Sequence, residues 1–404
     1  RCLVGSEMCI RDRAWRISDE PFMKDLLWLD NLKLRVGYGK TGNSAVSPYQ
    51  TKGQLALRHY VFNNGSSEYI GYAPSVMAND QLTWETTDQW NVGVDFGFLK
   101  NRINGTVEFY LQNTKDLLLK RQLPVVSGFS SVMSNVGSTR NKGVEITLNT
   151  RNIMNRNFTW STDLTFSANK EEIVELYNGK TDDVGNLWFI GQPIDVYYNY
   201  KKIGIWQNTE NDLAEMAKFN EKGANFKPGS IRLEDVDGDY KITEEDKQIL
   251  GSVRPKFVAS MVNNFEFKGF DLSVFLYASV GGLLRNNIEF MEKPGRGNTV
   301  KVDYWTPTNP TNAFPRPSVD VEKLDYISTL GYDKADFLRI RNITLGYTLP
   351  EMWSKKVLMD KIRIYLSANN PAIFTNFTGI DPEGANGRTA PSYSTWMFGI
   401  NLSM

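Results

Sequence analysis

Between Asp235 and Asp246 the chain reads Asp-Val-Asp-Gly-Asp-Tyr-Lys-Ile-Thr-Glu-Glu-Asp. Calcium takes about six to eight hard oxygen ligands, and a loop of the EF-hand type presents them at alternating positions before closing on an acidic residue. Asp235, Asp237 and Asp239 fill the first three of those positions. Lys241 would offer its backbone carbonyl, Thr243 would act directly or through water, and Asp246 would close the loop. Ile242 would be the apolar anchor. Two residues depart from the pattern. Tyr240 stands where glycine normally eases the sharp turn, and Asp246 replaces a longer, bidentate Glu, which points to a smaller or weaker site. The competing reading is an acidic, solvated turn that holds no ion. In either case the motif's role is structural, not catalytic.

No other residue set points to chemistry of its own. His59 is the single histidine, so a histidine-based metal cluster is excluded, and so is a Ser-His-Asp triad that does not use His59. A lone histidine is more often a surface or packing residue than a ligand. Trp188, Tyr197, Tyr198, Trp206, Tyr304 and Trp305 are aromatic groups that could stack on sugar rings, or pack loops together, or mark an interface. Gly295–Trp305 and Asn386–Arg388 lack the strand–glycine–helix context of a phosphate loop. No pair of carboxylates has a context that marks it as catalytic. The expectation is a protein that is not an enzyme.

Composition narrows the partners. The 404 residues carry 46 basic and 46 acidic side chains, for a formal net charge of zero. A nucleic-acid polyanion is therefore not the expected main partner. No apolar run approaches the roughly 18 residues of a membrane helix. Leu272 to Leu284 comes nearest and is bounded by Asp271 and Arg285.

Residues Arg1–Arg13 read as translated sequencing adapter rather than protein, with neither the apolar core nor the cleavage site of a signal peptide. Both cysteines, Cys2 and Cys9, lie inside this segment. Thiol and disulfide chemistry is therefore not expected in 14–404.

The dominant pattern in 14–404 has period two. Trp90, Val92, Val94, Phe96 and Phe98 alternate with Asn91, Gly93, Asp95 and Gly97. Ile103, Val107, Phe109 and Leu111 alternate with Asn104, Thr106, Glu108 and Tyr110. The same rhythm marks strands around Val144–Leu148 and Trp160–Phe166. Others run near Leu32–Gly39, Phe257–Phe267, Phe270–Val280, Phe337–Tyr347, Ile362–Asn370 and Trp396–Met404. Side chains at i and i+2 share one face of a strand, so each strand has a greasy face and a polar one. A soluble sheet would pack the greasy face in a core, whereas a membrane barrel would turn it to lipid. The linkers favour the barrel. Short ones (Lys100–Asn101, Arg151–Asn157, Lys268–Gly269) alternate with long ones near 41–88, 113–141, 169–256, 281–335 and 371–394. That asymmetry suits short periplasmic turns and long outer loops. Thr348–Asp360, with a short helix, would be a further periplasmic turn. Gln54–Phe62 and Val196–Trp206 read as strands within outer loops, and Thr209–Lys222 as a helix capped by Thr209.

Several segments then resemble a known family. Leu32–Asn43 (LKLRVGYGKTGN) is similar to a segment of SusC/RagA-type TonB-linked outer-membrane proteins. LTWETTDQWNVGVDFGF, NVGSTRNKGVEI, GQPI with a following GIWQ, FKGFDLSVFL and DFLRIRNITLGYTLP resemble further family segments, in family order, across Ala14–Met404. The resemblance implies an all-β fold: a transmembrane antiparallel β-barrel, present here as an open partial barrel of about ten strands. It carries long extracellular loops and an extracellular insertion at about 169–256. It implies a Gram-negative, Bacteroidetes-like outer membrane. The implied partners are lipid, a SusD-like lipoprotein and the TonB complex, the last through a plug region upstream of this sequence. The implied activity is import of oligosaccharides (glycans) or peptides. Met404 departs from the aromatic residue with which such barrels usually end. The Leu32 strand and the Met404 strand would be the sheet's two edges. Two alternatives stay open: a passive outer-membrane binding or adhesion barrel, and a secreted calcium-stabilised β-sandwich lectin.

Overall fold

The computed structural model describes residues 8–43, 51–65, 67–129, 131–286, 302–318, 324–384 and 392–404. Residues 1–7 of the leading segment, 295–301 and Asn386–Arg388 lie outside the described residues. The chain divides into two compact units, 1–194 and 195–404.

The first unit is built on six long antiparallel strands: β1 (Met8–Arg16), β2 (Leu29–Asn43), β3 (Glu85–Phe98), β4 (Ile103–Lys115), β5 (Ser138–Met154) and β6 (Phe158–Glu175). Each pairs with its neighbour in sequence. The second unit is built on five: β7 (Phe257–Phe267), β8 (Phe270–Val280), β9 (Phe337–Thr348), β10 (Lys361–Thr375) and β11 (Thr395–Ser403). These also pair in sequence order. Ten of the eleven coincide with the strands that the alternation predicts.

Three expectations need correction. First, β2 is not an edge: both its sides are taken, by β1 and β3. Residues 8–13, which the sequence reading sets aside, run in β1. Backbone N–H and C=O groups make that pairing, and they are indifferent to a segment's side chains or origin. Second, several wall strands run past the roughly ten residues that a tilted membrane crossing needs. β5 has 17 residues and β6 has 18. Their ends carry polar pairs such as Arg140 with Glu172, which suits water beyond a bilayer. β6 itself runs on to Glu175. Third, Val196–Trp206 is not one strand. Val196–Asn199 pairs with Gln248–Ser252, and Lys202–Ile205 pairs with Ile231–Leu233. The Asn199 side chain accepts the Tyr200 amide at 2.8 Å and turns the chain between them. Gln54–Phe62 is a strand outside the wall, as expected, and pairs with Ser67–Val76 in a separate hairpin.

Among the described residues, no packed core lies behind the apolar faces of the wall strands. Trp90, Val92, Phe109 and Leu111 are exposed in the first unit, as are Leu345, Leu366, Trp396, Phe398, Ile400 and Leu402 in the second. Aromatic pairs flank this band. Tyr38 and Trp90 lie 4.7 Å apart near the outer ends, and Trp28 and Phe98 lie 5.6 Å apart near the short turns. The eight steps from Trp90 to Phe98 span about 27 Å along the strand, or about 20 Å of height after the tilt of a barrel strand, close to an apolar membrane band.

The opposite faces carry charge and hydroxyls. Arg35 donates to Asp95 at 3.0 Å and approaches Glu108 at 3.4 Å. Arg363 donates to Asp271 at 2.9 Å. Asn342 donates to Ser367 and Asn369 at 2.9 and 2.7 Å. Buried hydrophobic packing sits instead in the loop region of the second unit. One cluster joins Ile205, Ile231, Leu233, Trp305, Ile327 and Leu330, and another joins Trp206, Met216, Phe219 and Phe226.

Candidate functional site: the outer loops of the second unit

The acidic loop lies among these packed loops. Carboxylate oxygens of Asp235, Asp237 and Asp239 lie within 4.8 Å of one another. Backbone amides hold each of them. Asp235 accepts from Gly238 and Tyr240 at 2.8 and 2.9 Å, Asp237 from Asp239 at 3.2 Å, and Asp239 from Lys241 at 2.7 Å. At Asp237 the Asp239 amide lowers the carboxyl pKa. Desolvation, repulsion from Asp239, the side-chain bond with Asp235 and repulsion from Asp246 outweigh that bond and leave the group above its ordinary value. Three converging carboxylates are therefore a donor set that suits a hard cation.

The remaining predicted ligands are placed differently. Asp246 is fully buried, and its two oxygens accept the amides of Val236 and Thr243 at 2.8 and 2.7 Å. The Thr243 hydroxyl accepts the Glu245 amide at 3.2 Å, completing a reciprocal cap of a short 3₁₀ turn. The loop thus closes through Asp246, which fastens its two ends. Ile242 packs against both hydrophobic clusters, as an anchor should. Tyr240 adopts the left-handed backbone (φ 62°) that glycine would ease. Its ring packs edge-on to Phe219 at 5.4 Å, with Lys218 5.0 Å over it.

Phe219 belongs to helix α1 (Glu210–Glu221), which Thr209 caps by accepting the Asp212 amide at 3.3 Å. Asp212 in turn accepts the Gln207 amide at 2.8 Å and meets Arg232 at 3.0 Å. The acidic loop is thereby joined through Tyr240 and Ile242 to the helix and its aromatic cluster.

Beside these elements lies a cavity of about 950 Å³. Lys202, Gln248, Leu283, Asp303, Tyr332 and Thr378 are among the residues that line it, contributed by three different outer connections. Lys202 donates to the carbonyls of Asn312 and Ala313 at 2.7 Å each, and burial lowers its ammonium pKa. Bonds from Thr311 and Asn309, at 2.6 and 2.8 Å, hold the Asp303 carboxyl below the usual range. A third feature fastens the connection after β10. Arg339 is 3% exposed and donates to Asp381 at 2.7 Å, while Glu383 lies 3.3 Å from its Nε. No short-range spacing in the sequence announces the cavity or this clamp, because the partners come from distant segments.

The aromatic residues singled out as stacking groups are divided by the fold. Trp206 and Trp305 are core residues, 1% and 5% exposed, and Trp305 donates to Gln207 at 2.8 Å. Tyr197 packs edge-on to Tyr332 at 5.2 Å. Tyr304 remains exposed. His59 sits on the hairpin of the first unit with its Nδ1 2.6 Å from Glu68, both exposed. These residues do not form one site.

The family described as TonB dependent receptor-like, beta-barrel, matches residues 15–371. TonB-dependent receptor P3 of Formosa agariphila is 32% identical over 96% of this chain and 41% of its own length. TonB-dependent receptor SusC of Bacteroides thetaiotaomicron is 31% identical over 96% of this chain and 39% of its own. The chain thus spans about two fifths of these relatives. The RagAB peptide transporter has the same fold over 98% of this chain and 43% of that chain, with a TM-score of 0.78 and 25% identity. No helix among the described residues is long and apolar enough to cross a membrane, which leaves crossing by strands untouched. With exposed apolar wall faces, polar opposite faces and a match over most of its length, the chain belongs to the TonB-dependent receptor β-barrel family, as an outer-membrane barrel of the SusC/RagA type.

Proposed function

We propose that the protein containing this chain imports an oligosaccharide or a peptide across the outer membrane, with a SusD-like surface lipoprotein as partner and TonB as energy source. The loop cavity of the second unit carries this reading. Its volume of about 950 Å³ is at the upper end of ordinary ligand sites, roughly 300–1,000 Å³. Its lining mixes aliphatic groups with Asp303, Asn286 and Tyr332, which suits an oligomer with both polar and apolar surface. RagAB is a peptide transporter, so peptides belong in the test beside glycans. Uptake of labelled oligosaccharide and peptide pools by cells with the complete protein and its lipoprotein would decide between them. Asp303→Ala and Tyr332→Ala should lower uptake of the true substrate without lowering the amount of folded barrel. Uptake that persists without TonB would favour a passive binding barrel instead.

Within the same reading, the acidic loop serves as a structural calcium site that holds α1 and the strands around it. The three converging carboxylates and the raised Asp237 carboxyl support it.

A further inference from the structure

The turn between β9 and β10 has a surface that the barrel wall does not use. Glu351–Ser354 is one helical turn, continued by a 3₁₀ turn over Lys355–Val357. Ser354 is fully buried, its hydroxyl donating to the carbonyls of Glu351 and Asp360 at 3.1 and 3.2 Å. That side fastens the turn to itself. The rest of the turn is exposed, and four of its exposed residues are apolar: Met352, Trp353, Val357 and Leu358 are 67%, 56%, 56% and 89% exposed, beside Glu351 and Lys355, which pair with each other. Leu358 also holds a left-handed backbone, φ 61°, where glycine would be at ease. A sequence that places leucine there, with its side chain in the open, accepts strain and exposure together. Water gives nothing in return for either.

We infer that this turn is an interfacial anchor that seats in the periplasmic leaflet, with its apolar side chains among acyl chains and Lys356, beside the Lys355–Glu351 pair, at anionic phospholipid headgroups. The inference rests on the membrane reading of the wall. Continuity names the occupant. Phe270 and Tyr347, 4.5 Å apart, end the outward band on the adjoining strands, so the apolar side of the turn extends a surface already given to lipid. Charge agrees. A tryptophan with flanking lysines is the composition of an interfacial belt. The β7–β8 turn carries Lys268 next to exposed Phe267. In the first unit the β3–β4 turn repeats the device, with exposed Leu99 in a left-handed conformation followed by Lys100.

The test is site-directed spin labelling of the complete protein that contains this chain, in bilayers containing phosphatidylglycerol and with its native cysteines changed to Ser. Labels are placed singly by Leu358→Cys and Met352→Cys, and by Leu345→Cys on the wall as a reference. The expected result is that oxygen relaxes the labels at 358 and 352 more than an aqueous nickel chelate does, as at 345. Lys355→Ala with Lys356→Ala should shift the 358 label toward water. Labels at 358 and 352 that favour the nickel chelate, while 345 favours oxygen, would overturn the anchor and leave the wall reading intact. Labels at 358 and 352 shielded from both reagents would mean that a protein segment covers the turn, and would also overturn it. A reference label at 345 that favours the chelate would sink both readings.

Discussion

Arg363 reaches Asp271 from two strands away, with Nε donating at 2.9 Å, because the residue between them on β9 is Gly346. A Cβ at Gly346 would stand 2.5 Å from both the guanidinium and the carboxylate. Gly93 plays the same part where Arg35 crosses toward Glu108, 2.8 Å from the space a Cβ would take. Glycine on a wall strand thus makes room for an ion pair that spans three strands on the polar face.

The contrast with Gly105 gives a first prediction. A Cβ at Gly105 would collide with the backbone carbonyl of Thr147 and the ring of Phe96, which cannot step aside as the tip of an arginine can. Gly105→Ala should destabilise the wall by about 1–3 kcal/mol, and Gly346→Ala by less than about 1 kcal/mol. Thermal unfolding in detergent, read by the loss of heat-resistant electrophoretic mobility, checks the order. Equal losses would show that the ion pair matters as much as the backbone clash.

A second prediction concerns the two faces. Val94 sits between Trp90 and Phe98 on the outward face of β3, opposite Leu34 and Val107. Arg at Val94 should cost about 2–4 kcal/mol near the bilayer midplane, and Arg at Asn91, on the polar face, much less. Asp95 is not an equivalent control, although its polar position suggests one. It pairs with Arg35 and lies 3.7 Å from Lys33, so a cation there would meet two others. Equilibrium folding into lipid vesicles measures the difference.

The wall was legible because period two is a local property of ten strands, each carrying its own signal. The eleventh, β1, lay beyond that method. Met8–Arg16 joins by backbone pairing from Met8 opposite Thr41 to Arg16 opposite Lys33, and such pairing leaves little mark on composition. The acidic loop was legible because Asp235, Asp237 and Asp239 lie within five residues. Asp246 shows the limit of spacing alone, since its type and position fit a ligand while the fold turns both oxygens to backbone amides. The cavity and the Arg339 clamp depend on residues more than forty positions apart, which no local pattern announces.

The acidic loop supplies a third prediction, with a definite sign. Asp237 is raised above its ordinary value. A carboxyl raised on folding favours the folded loop below its unfolded pKa, and this contribution is lost as pH rises through the folded value. Protons and calcium should therefore substitute for one another: at neutral pH the ion-free loop is loosest, and either calcium or mild acid tightens it. Calcium affinity should fall on acidification, because the ligands must be ionised. Limited proteolysis of 207–256 at several pH values, with calcium and with a chelator, reads both effects. Asp235→Ala with Asp237→Ala should abolish the calcium-dependent protection. Identical cleavage of the parent protein with and without calcium would leave only an acidic turn.

The clamp after β10 should respond to pH in the opposite direction. Desolvation raises the Asp381 carboxyl, but bonds from Ser392, the Glu383 amide and Arg339 together outweigh it and hold the group below its ordinary value. A depressed carboxyl contributes stability that is present above its unfolded pKa and lost as pH falls through the folded one. The tether formed by Phe377–Glu383 should thus be firm at neutral pH and open below the usual aspartate range. Arg339→Ala should open it at neutral pH as well, because it leaves Asp381 buried without its cation, a loss of about 3–5 kcal/mol for a buried pair. Asp381→Asn should keep the hydrogen bonds in part and remove the pH dependence. Amide hydrogen exchange at Phe377 and Glu383, whose N–H groups donate to Thr375 and Asp381 at 3.0 and 2.9 Å, follows the tether directly. Exchange that is slow at every pH in Arg339→Ala would show that the packing of Phe377 with Leu284 and Ala335 holds the connection without the ion pair.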